Sequence, residues 1–314
     1  VIALIKNATY DESLFLEGMM PQTTSATVLG LVEQDIQSGR YSQAMKRLVS
    51  VSVELSKDLK FLSLLCLVQK GLGDNAGQIK TLEAIADITK THVAYLDFMA
   101  ALYAEGRLNE ALDVGLYLQE EQLSDVNARY HTRMMVRIYL EFCDYEGVNE
   151  IIGLYCETHE MDDLMCWARG FVKLAEGDQN QAVDYFRRAV EMNPSNDQAW
   201  VSLAMIHDEM GDRELATANL ERGLDVNPNN ATGLKMMAKW QRQGANAEGV
   251  LNRLNYYMKT HSFDEEMSIC YIQLLKECNA LDEARFEVEK QILNDPTNTV
   301  FARVKNDLLE GAGL

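Results

Sequence analysis

A repeat of near-constant length constrains this chain more than any other feature. Ala44, Gln78, Ala111, Val148, Ala182, Ala216, Val250 and Ala284 follow one another at intervals of 34, 33, 37, 34, 34, 34 and 34 residues. Each lies five residues after a turn position, at Gly39, Gly73, Gly106, Cys143, Gly177, Gly211, Ala245 and Asn279. A period of about 34 residues sustained through most of a chain marks a stacked array of helical hairpins, because one hairpin cannot bury its own apolar face and needs its neighbours to do so.

Within the period, residue types have mechanical jobs. With Asp163 as position one, Gly170 falls at eight, Gly177 at fifteen, Ala182 at twenty, Phe186 at twenty-four, Ala189 at twenty-seven and Pro194 at thirty-two. The next unit starts at Asp197 and repeats the set with Trp200, Leu203, Ala204, Gly211, Ala216, Leu220, Gly223 and Pro228. Small residues at eight and twenty allow two antiparallel helices to approach closely. Glycine at fifteen ends the first helix by taking a left-handed conformation that carries no Cβ penalty. Proline at thirty-two ends the second, since it has no amide hydrogen and its ring clashes with the preceding turn.

This pattern resembles the tetratricopeptide repeat family, most specifically over 163–230. The resemblance implies an all-α fold, a right-handed α-solenoid of stacked antiparallel helix pairs. Pro194, Pro228, Ser262 and Pro296 are each 34 residues apart, so Ser262 marks a unit that keeps the register without the proline. Extending the frame gives about eight hairpins at 25–58, 59–91, 92–128, 129–162, 163–196, 197–230, 231–264 and 265–298. A capping helix and tail are expected at 299–314. Tryptophan at position four occurs only as Trp200. The interval of 37 residues places the extra length of one unit in a loop around Glu120 to Asn127.

Residues 1–24 stand outside the period and read as an extension or linker, with Pro21 and the following QTTS leading into the first helix. The opening VIALI is too short for a secretory signal and has no basic leader. Since the chain begins with Val1, it is expected to be a processed or excised segment of something longer. No apolar run is long enough to span a bilayer.

A net charge of −19 disfavours nucleic acid and anionic membranes as general partners, because the summed field repels phosphate. Cys66, Cys143, Cys156, Cys166, Cys270 and Cys278 form no CxxC pair, and are read as reduced, buried thiols of a cytoplasmic protein. Asn7-Ala8-Thr9 and Asn230-Ala231-Thr232 match a glycosylation acceptor triplet, a pattern that arises often by chance.

No catalytic constellation emerges. His92, His131, His159, His207 and His261 are scattered among units, with no HExxH and no zinc spacing. The ETHEMDD run at 157–163 reads as a loop of solvated charges. GLGDNAG at 71–77 has the glycines of a phosphate loop without its lysine, and it occupies the turn that every unit has. No enzyme activity, metal or cofactor is expected.

The family resemblance implies that first helices line a concave groove through positions two, five, nine, twelve and thirteen. Carried onto this chain, these positions give Leu96, Ala100 and Tyr103, then Arg133 and Arg137 with Arg129 leading in, then Trp167 and Phe171. Arg129, Arg133 and Arg137 are spaced i, i+4 and i+8 and form one ladder. One reading is a site for an acidic peptide with an apolar anchor, gripped by paired guanidinium hydrogen bonds. The other is internal, with arginine stacked on aromatic rings or paired with Asp97 or Glu141. A second basic set, Lys235, Lys239 and Arg242, is expected to bridge to Asp208 and Glu209 of the preceding unit.

The family's two-carboxylate clamp for chaperone C-termini needs lysine, asparagine and arginine at set positions. This chain has Arg133, Arg137, Ala168, Gln198 and Ser202 there, so chaperone-tail binding is not expected. The sequence reads as a protein-interaction scaffold or adaptor that holds a partner segment in its groove. The alternative is a regulatory output domain of a larger signalling protein of the response-regulator type, or of a secretion or pilus-assembly protein, whose N-terminal domain is missing.

Overall fold

The computed structural model describes residues 24–241, 247–261 and 263–310. The stretches 1–23 and 242–246, with Arg242 and Ala245 in the latter, Ser262 and the tail 311–314 lie outside them. Seventeen helices and no strand occur among the described residues. In order they are α1 (Ser25–Gln37), α2 (Tyr41–Val51), α3 (Leu59–Leu72), α4 (Asn75–Thr89), α5 (His92–Ala104), α6 (Leu108–Gln119), α7 (Asp125–Glu141), α8 (Tyr145–Cys156) and α9 (Asp163–Ala175). There follow α10 (Gln179–Met192), α11 (Asp197–Glu209), α12 (Arg213–Val226), α13 (Ala231–Gln241), α14 (Ala247–Thr260), α15 (Glu265–Glu277), α16 (Leu281–Asn294) and α17 (Thr299–Glu310). The chain divides into two compact units between Met134 and Met135, inside α7.

In each unit consecutive helices pack as antiparallel pairs and each pair packs on the next, the arrangement of an α-solenoid. The core of the first unit includes Leu29, Val32, Ala44, Leu48, Phe61 and Val68. In the second, α10 buries Ala182, Val183, Phe186, Ala189 and Val190, an i, i+4, i+7 stripe turned onto α9 and α11. Further along, Val201, Ala204, Leu220, Leu234, Val250 and Leu254 continue that core. Phe301 and Leu308 of α17 close it against Ile272 and Val288.

Close helix approach depends on the small residues. A Cβ placed on Gly170 would lie 2.3 Å from the Phe186 ring, well inside van der Waals contact. Ala204, at the equivalent position one repeat later, is fully buried.

The described turns inside the hairpins share one backbone geometry. Gly39, Gly73, Gly106, Gly177 and Gly211 all have positive φ, and so do Cys143 and Asn279 at the same register. The amide of the next residue donates across the helix end to a carbonyl five residues back. The pairs are Arg40 to Asp35, Asp74 to Gln69, Arg107 to Leu102, Asp144 to Tyr139, Asp178 to Lys173, Asp212 to His207 and Ala280 to Leu275, all at 2.8–2.9 Å. This is the Schellman arrangement, which satisfies carbonyls that the helix leaves open. Where the donor residue is aspartate, its side chain also caps the following helix. Asp74, Asp144, Asp178 and Asp212 accept the amides of Gly77, Gly147, Gln181 and Leu215.

Between hairpins a second polar device recurs. Asp163 Oδ2 accepts the amide side chains of Asn193 at 2.8 Å and Asn196 at 2.9 Å. Asp197 Oδ2 accepts those of Asn227 and Asn230, both at 2.7 Å. The start of a first helix is thereby tied to the end of its partner and to the cap of the following hairpin.

Three expectations need correction. α7 begins at Asp125 and has 17 residues against 13 in α5 and α9, so 125–127 form a helical turn rather than loop. The extra length of that unit extends a helix. Of the six cysteines only Cys166 is buried, while Cys143, Cys156 and Cys278 are exposed, because two of these sit at or beside turns and one ends α8. Lys235 pairs forward, with Asp264 at 3.5 Å and Glu266 at 2.6 Å, and not back to Asp208 or Glu209. Asp208 is taken by Arg213 and by the Trp240 indole, and the Arg213 guanidinium lies 4.3 Å above the Trp240 ring. Tryptophan one repeat on thus competes successfully for the carboxylate that the lysine was expected to use.

Three measurements check this account. Ala204→Leu overpacks the α11–α12 contact and should cost about 1–3 kcal/mol, with hydrogen-exchange protection lost chiefly across 163–264. Unaltered protection there would refute the packing frame. Cys143→Gly removes a side chain from a left-handed position and should raise the urea midpoint, corresponding to an unfolding free energy higher by up to about 1 kcal/mol after the entropic cost of glycine. A lowered midpoint would show that the turn is not the source of strain.

The third concerns His131, buried on α7 with Nε2 2.8 Å from the Gly115 carbonyl oxygen. Burial holds the imidazole below its ordinary 6.5, outweighing the upward pull of that carbonyl. The unfolded chain therefore takes up the proton first, and stability is lost as pH falls from about 6.5 toward the folded-state value. His131→Gln can still donate to the carbonyl without titrating. Its denaturation midpoint should drop less between pH 7.5 and pH 5.5 (about one unit either side of the free value) than that of the parent. Equal drops would remove His131 as the cause.

Candidate functional site

The odd-numbered helices present indented surfaces between them. In the first unit a cleft of about 500 Å³ opens between α3 and α5 over α4. Leu67, Ile79, Leu82, Ala100 and Ala101 supply apolar walls, and Lys70, Asp97 and Glu105 supply charge. Asn75 donates to Glu105 at 2.5 Å. Asp97 is exposed at the cleft and has no ion-pair partner among the described residues. Desolvation by the surrounding walls raises its carboxyl above the ordinary carboxylate range.

In the second unit a cleft of about 480 Å³ lies between α13 and α15, with Met236, Ala238 and Cys270 in its walls and Lys235, Lys239 and Glu266 at its edges. Lys235 is held by Glu266 and Asp264, whereas Lys239, exposed on α13, has no ion pair among the described residues. A further cleft of about 450 Å³ follows between α15 and α17, lined by Gln273, Lys276, Val304 and Leu308.

The sequence-derived residues distribute unequally over these surfaces. Ala100 lines the first cleft. Leu96 is 3% exposed and belongs to the core, so it offers nothing to a partner. The open face of α5 is turned one residue on, to Asp97, Ala101 and Ala104. Tyr103 is half-buried. Arg129, Arg133 and Arg137 share α7, Arg129 exposed and the other two half-buried, with the division between the units falling after Arg133.

Trp167 and Phe171 are half-buried on α9. Their rings meet edge-on at 5.0 Å, and Phe171 meets Phe186 at 5.4 Å. The Trp167 indole donates to Ser202 Oγ at 3.0 Å. Both aromatics therefore serve the core as well as presenting an edge. Arg169, between them in sequence, donates to Asn149 at 2.7 Å and keeps a buried Nε without a partner.

Sequence reasoning missed Asp97 as a cleft residue. The available signal was its isolation, since it is the only carboxylate in the helix HVAYLDFMAALYA. Among the described residues there is no group of three or more His, Cys, Asp or Glu side chains suited to a metal ion. No described helix is long and apolar enough to cross a membrane.

Comparison with curated proteins finds no match. Among solved structures, the chain resembles one in the APC/C hetero-tetramer Cut9–Hcn1, with 11% identity over 80% of this chain and 51% of that one, at a TM-score of 0.54. It therefore spans about half the length of that chain. A tetratricopeptide repeat protein from Parabacteroides merdae aligns at 11% identity over 79% of this chain and 97% of its own, with a TM-score of 0.51. PilF of Pseudomonas aeruginosa aligns at 12% identity over 68% and 97%, with a TM-score of 0.50. At these identities the likeness is one of fold. The tetratricopeptide repeat profile matches residues 173–239, the stretch that holds the Asp197–Asn227–Asn230 tie and the Asp208–Arg213 pair. Residues 173–239 are therefore tetratricopeptide repeat, and the described helices on either side of them carry the same α-solenoid fold.

Proposed function

We propose that this chain is a protein-interaction scaffold that holds partner segments against its odd-numbered helices. The observation that carries this reading is the recurrence of clefts of about 450–500 Å³ between consecutive odd-numbered helices. Each has apolar walls and charged edges, the lining that suits an amphipathic segment whose side chains alternate between anchoring and orienting roles. The six free thiols, three of them exposed, support a reducing, cytoplasmic setting.

As to the partner, the arginines of α7 support an acidic segment. Three guanidinium groups at i, i+4 and i+8 lie along about 12 Å of one helix axis, and each carries five N–H donors, enough to bind a partner carboxylate besides contacts within the chain. The edges of Trp167 and Phe171 support an apolar anchor on such a segment.

Selection of random peptides on the immobilised chain tests the scaffold reading, with each selected peptide then mapped by hydrogen exchange. Protection is expected on odd-numbered helices, and protection confined to even-numbered helices would refute the reading. For the acidic partner, Arg133→Glu with Arg137→Glu should weaken selected acidic peptides by about tenfold or more and flatten their salt dependence. Unchanged affinity in a variant of unchanged circular dichroism would sink the arginine assignment.

A further inference from the structure

The α3–α5 cleft carries an electrostatic imbalance that the folded chain does not resolve. Its walls are Leu67, Ile79, Leu82, Ala100 and Ala101, and the carboxylate of Asp97 stands among them with no ion-pair partner among the described residues. The walls desolvate that carboxyl enough to raise its proton affinity, which means that its charged form is held at a cost. Lys70 lines the same cleft without pairing to it, and Glu105 adds a second acid that one asparagine amide occupies. A group that brought a positive charge into the cleft would gain a partly desolvated partner, and its alkyl stem would cover apolar wall.

We infer that the α3–α5 cleft takes a partner segment bearing a single arginine or lysine beside aliphatic side chains, with Asp97 as the group that selects the cation. This assignment rests on the scaffold reading and narrows it for one cleft. It differs in sign from the acidic segment proposed for α7, so the clefts would take chemically different stretches. At position nine of its repeat, Ala100 leaves room for the aliphatic neighbour, and the exposed Ala104 keeps the end of the cleft open.

The test uses the whole chain, isotope-labelled, and two synthetic peptides that differ in one residue. Each has a central Leu-X-Leu in a serine-glycine context, with X either arginine or its neutral isostere citrulline. Backbone amide shifts of 66–82 and 97–105 report occupancy. The arginine peptide is expected to shift these amides and to bind about three- to fivefold more tightly than the citrulline peptide, the range of a partly exposed ion pair. That preference should vanish in Asp97→Asn and shrink between about 0.05 and 0.5 M salt. Because Ala104 is exposed, Ala104→Phe should fill the cleft without disturbing the core and abolish shifts from both peptides. Equal binding of the two peptides, or an arginine preference that survives Asp97→Asn, would overturn the assignment and leave the scaffold reading intact. Absence of any shift on any odd-numbered helix at millimolar peptide would overturn both.

Discussion

The turn inside the hairpins, as seen among the described residues, is the constraint on which the remaining structure depends. A left-handed residue followed by an amide that reaches back five residues reverses the chain within two or three residues. Its geometry does not follow residue type. The residues after the turn have φ between −81° and −96° whether they are arginine at 40 and 107, alanine at 280 or aspartate at 74, 144, 178 and 212. Cys143 and Asn279 accept a conformation that most L-residues avoid. Packing of the two helices sets the turn, and glycine only makes it cheaper.

Once the turn is fixed, the distance between paired helices is set by what stands at the crossing. The Phe186 ring fills the space that a side chain at Gly170 would need, so the large residue of one helix requires the small residue of the other. The spacing between pairs has a different origin. Asp163 and Asp197 each gather two asparagine amides from the far end of the hairpin, tying one first helix to the entrance of the next. Bifurcated acceptance by a carboxylate is directional as well as strong, so these ties hold register where apolar packing alone would tolerate sliding. The clefts between odd-numbered helices are what remains after both spacings are set.

How much of this could be read beforehand depends on whether a feature repeats. The turns could be read even at Cys143 and Asn279, because five glycines at the same register fixed the phase. Leu96 could not be placed correctly, because α5 is apolar around most of its circumference and its pattern does not say which face is open. There the lone carboxylate Asp97 was the better guide. The aspartate–asparagine ties were also written in the sequence, as acid at position one and asparagines at thirty-one and thirty-four of two successive units. They went unread because polar residues near helix ends suggest caps before they suggest long-range partners. The extra residues at 125–127 lengthen α7 because Ser124 and Asp125 make a good helix entry, a local preference that the loop assignment overlooked.

The same distinction governs what the acidic composition means for binding. A net charge of −19 suggests a uniformly repellent surface, but many of the carboxylates have structural work. Asp58, Asp74, Asp144, Asp162, Asp178, Asp212 and Asp264 accept amides at helix N-termini, where the helix dipole offsets their charge. Asp163 and Asp197 are surrounded by asparagine donors, and Asp35 lies buried between Arg40 and Arg47. These groups are satisfied whether or not a partner is present. On the proposed reading, recognition in the clefts falls to charges that have no ion pair among the described residues, among them Asp97 and Lys70 in the first unit and Lys239 in the second. Asp97 and Lys239 are opposite in sign, so on that proposal the two clefts would differ in preference although the same α-solenoid fold builds both. A solenoid can thus hold its fold constant and change its partners by altering one uncapped charge per cleft.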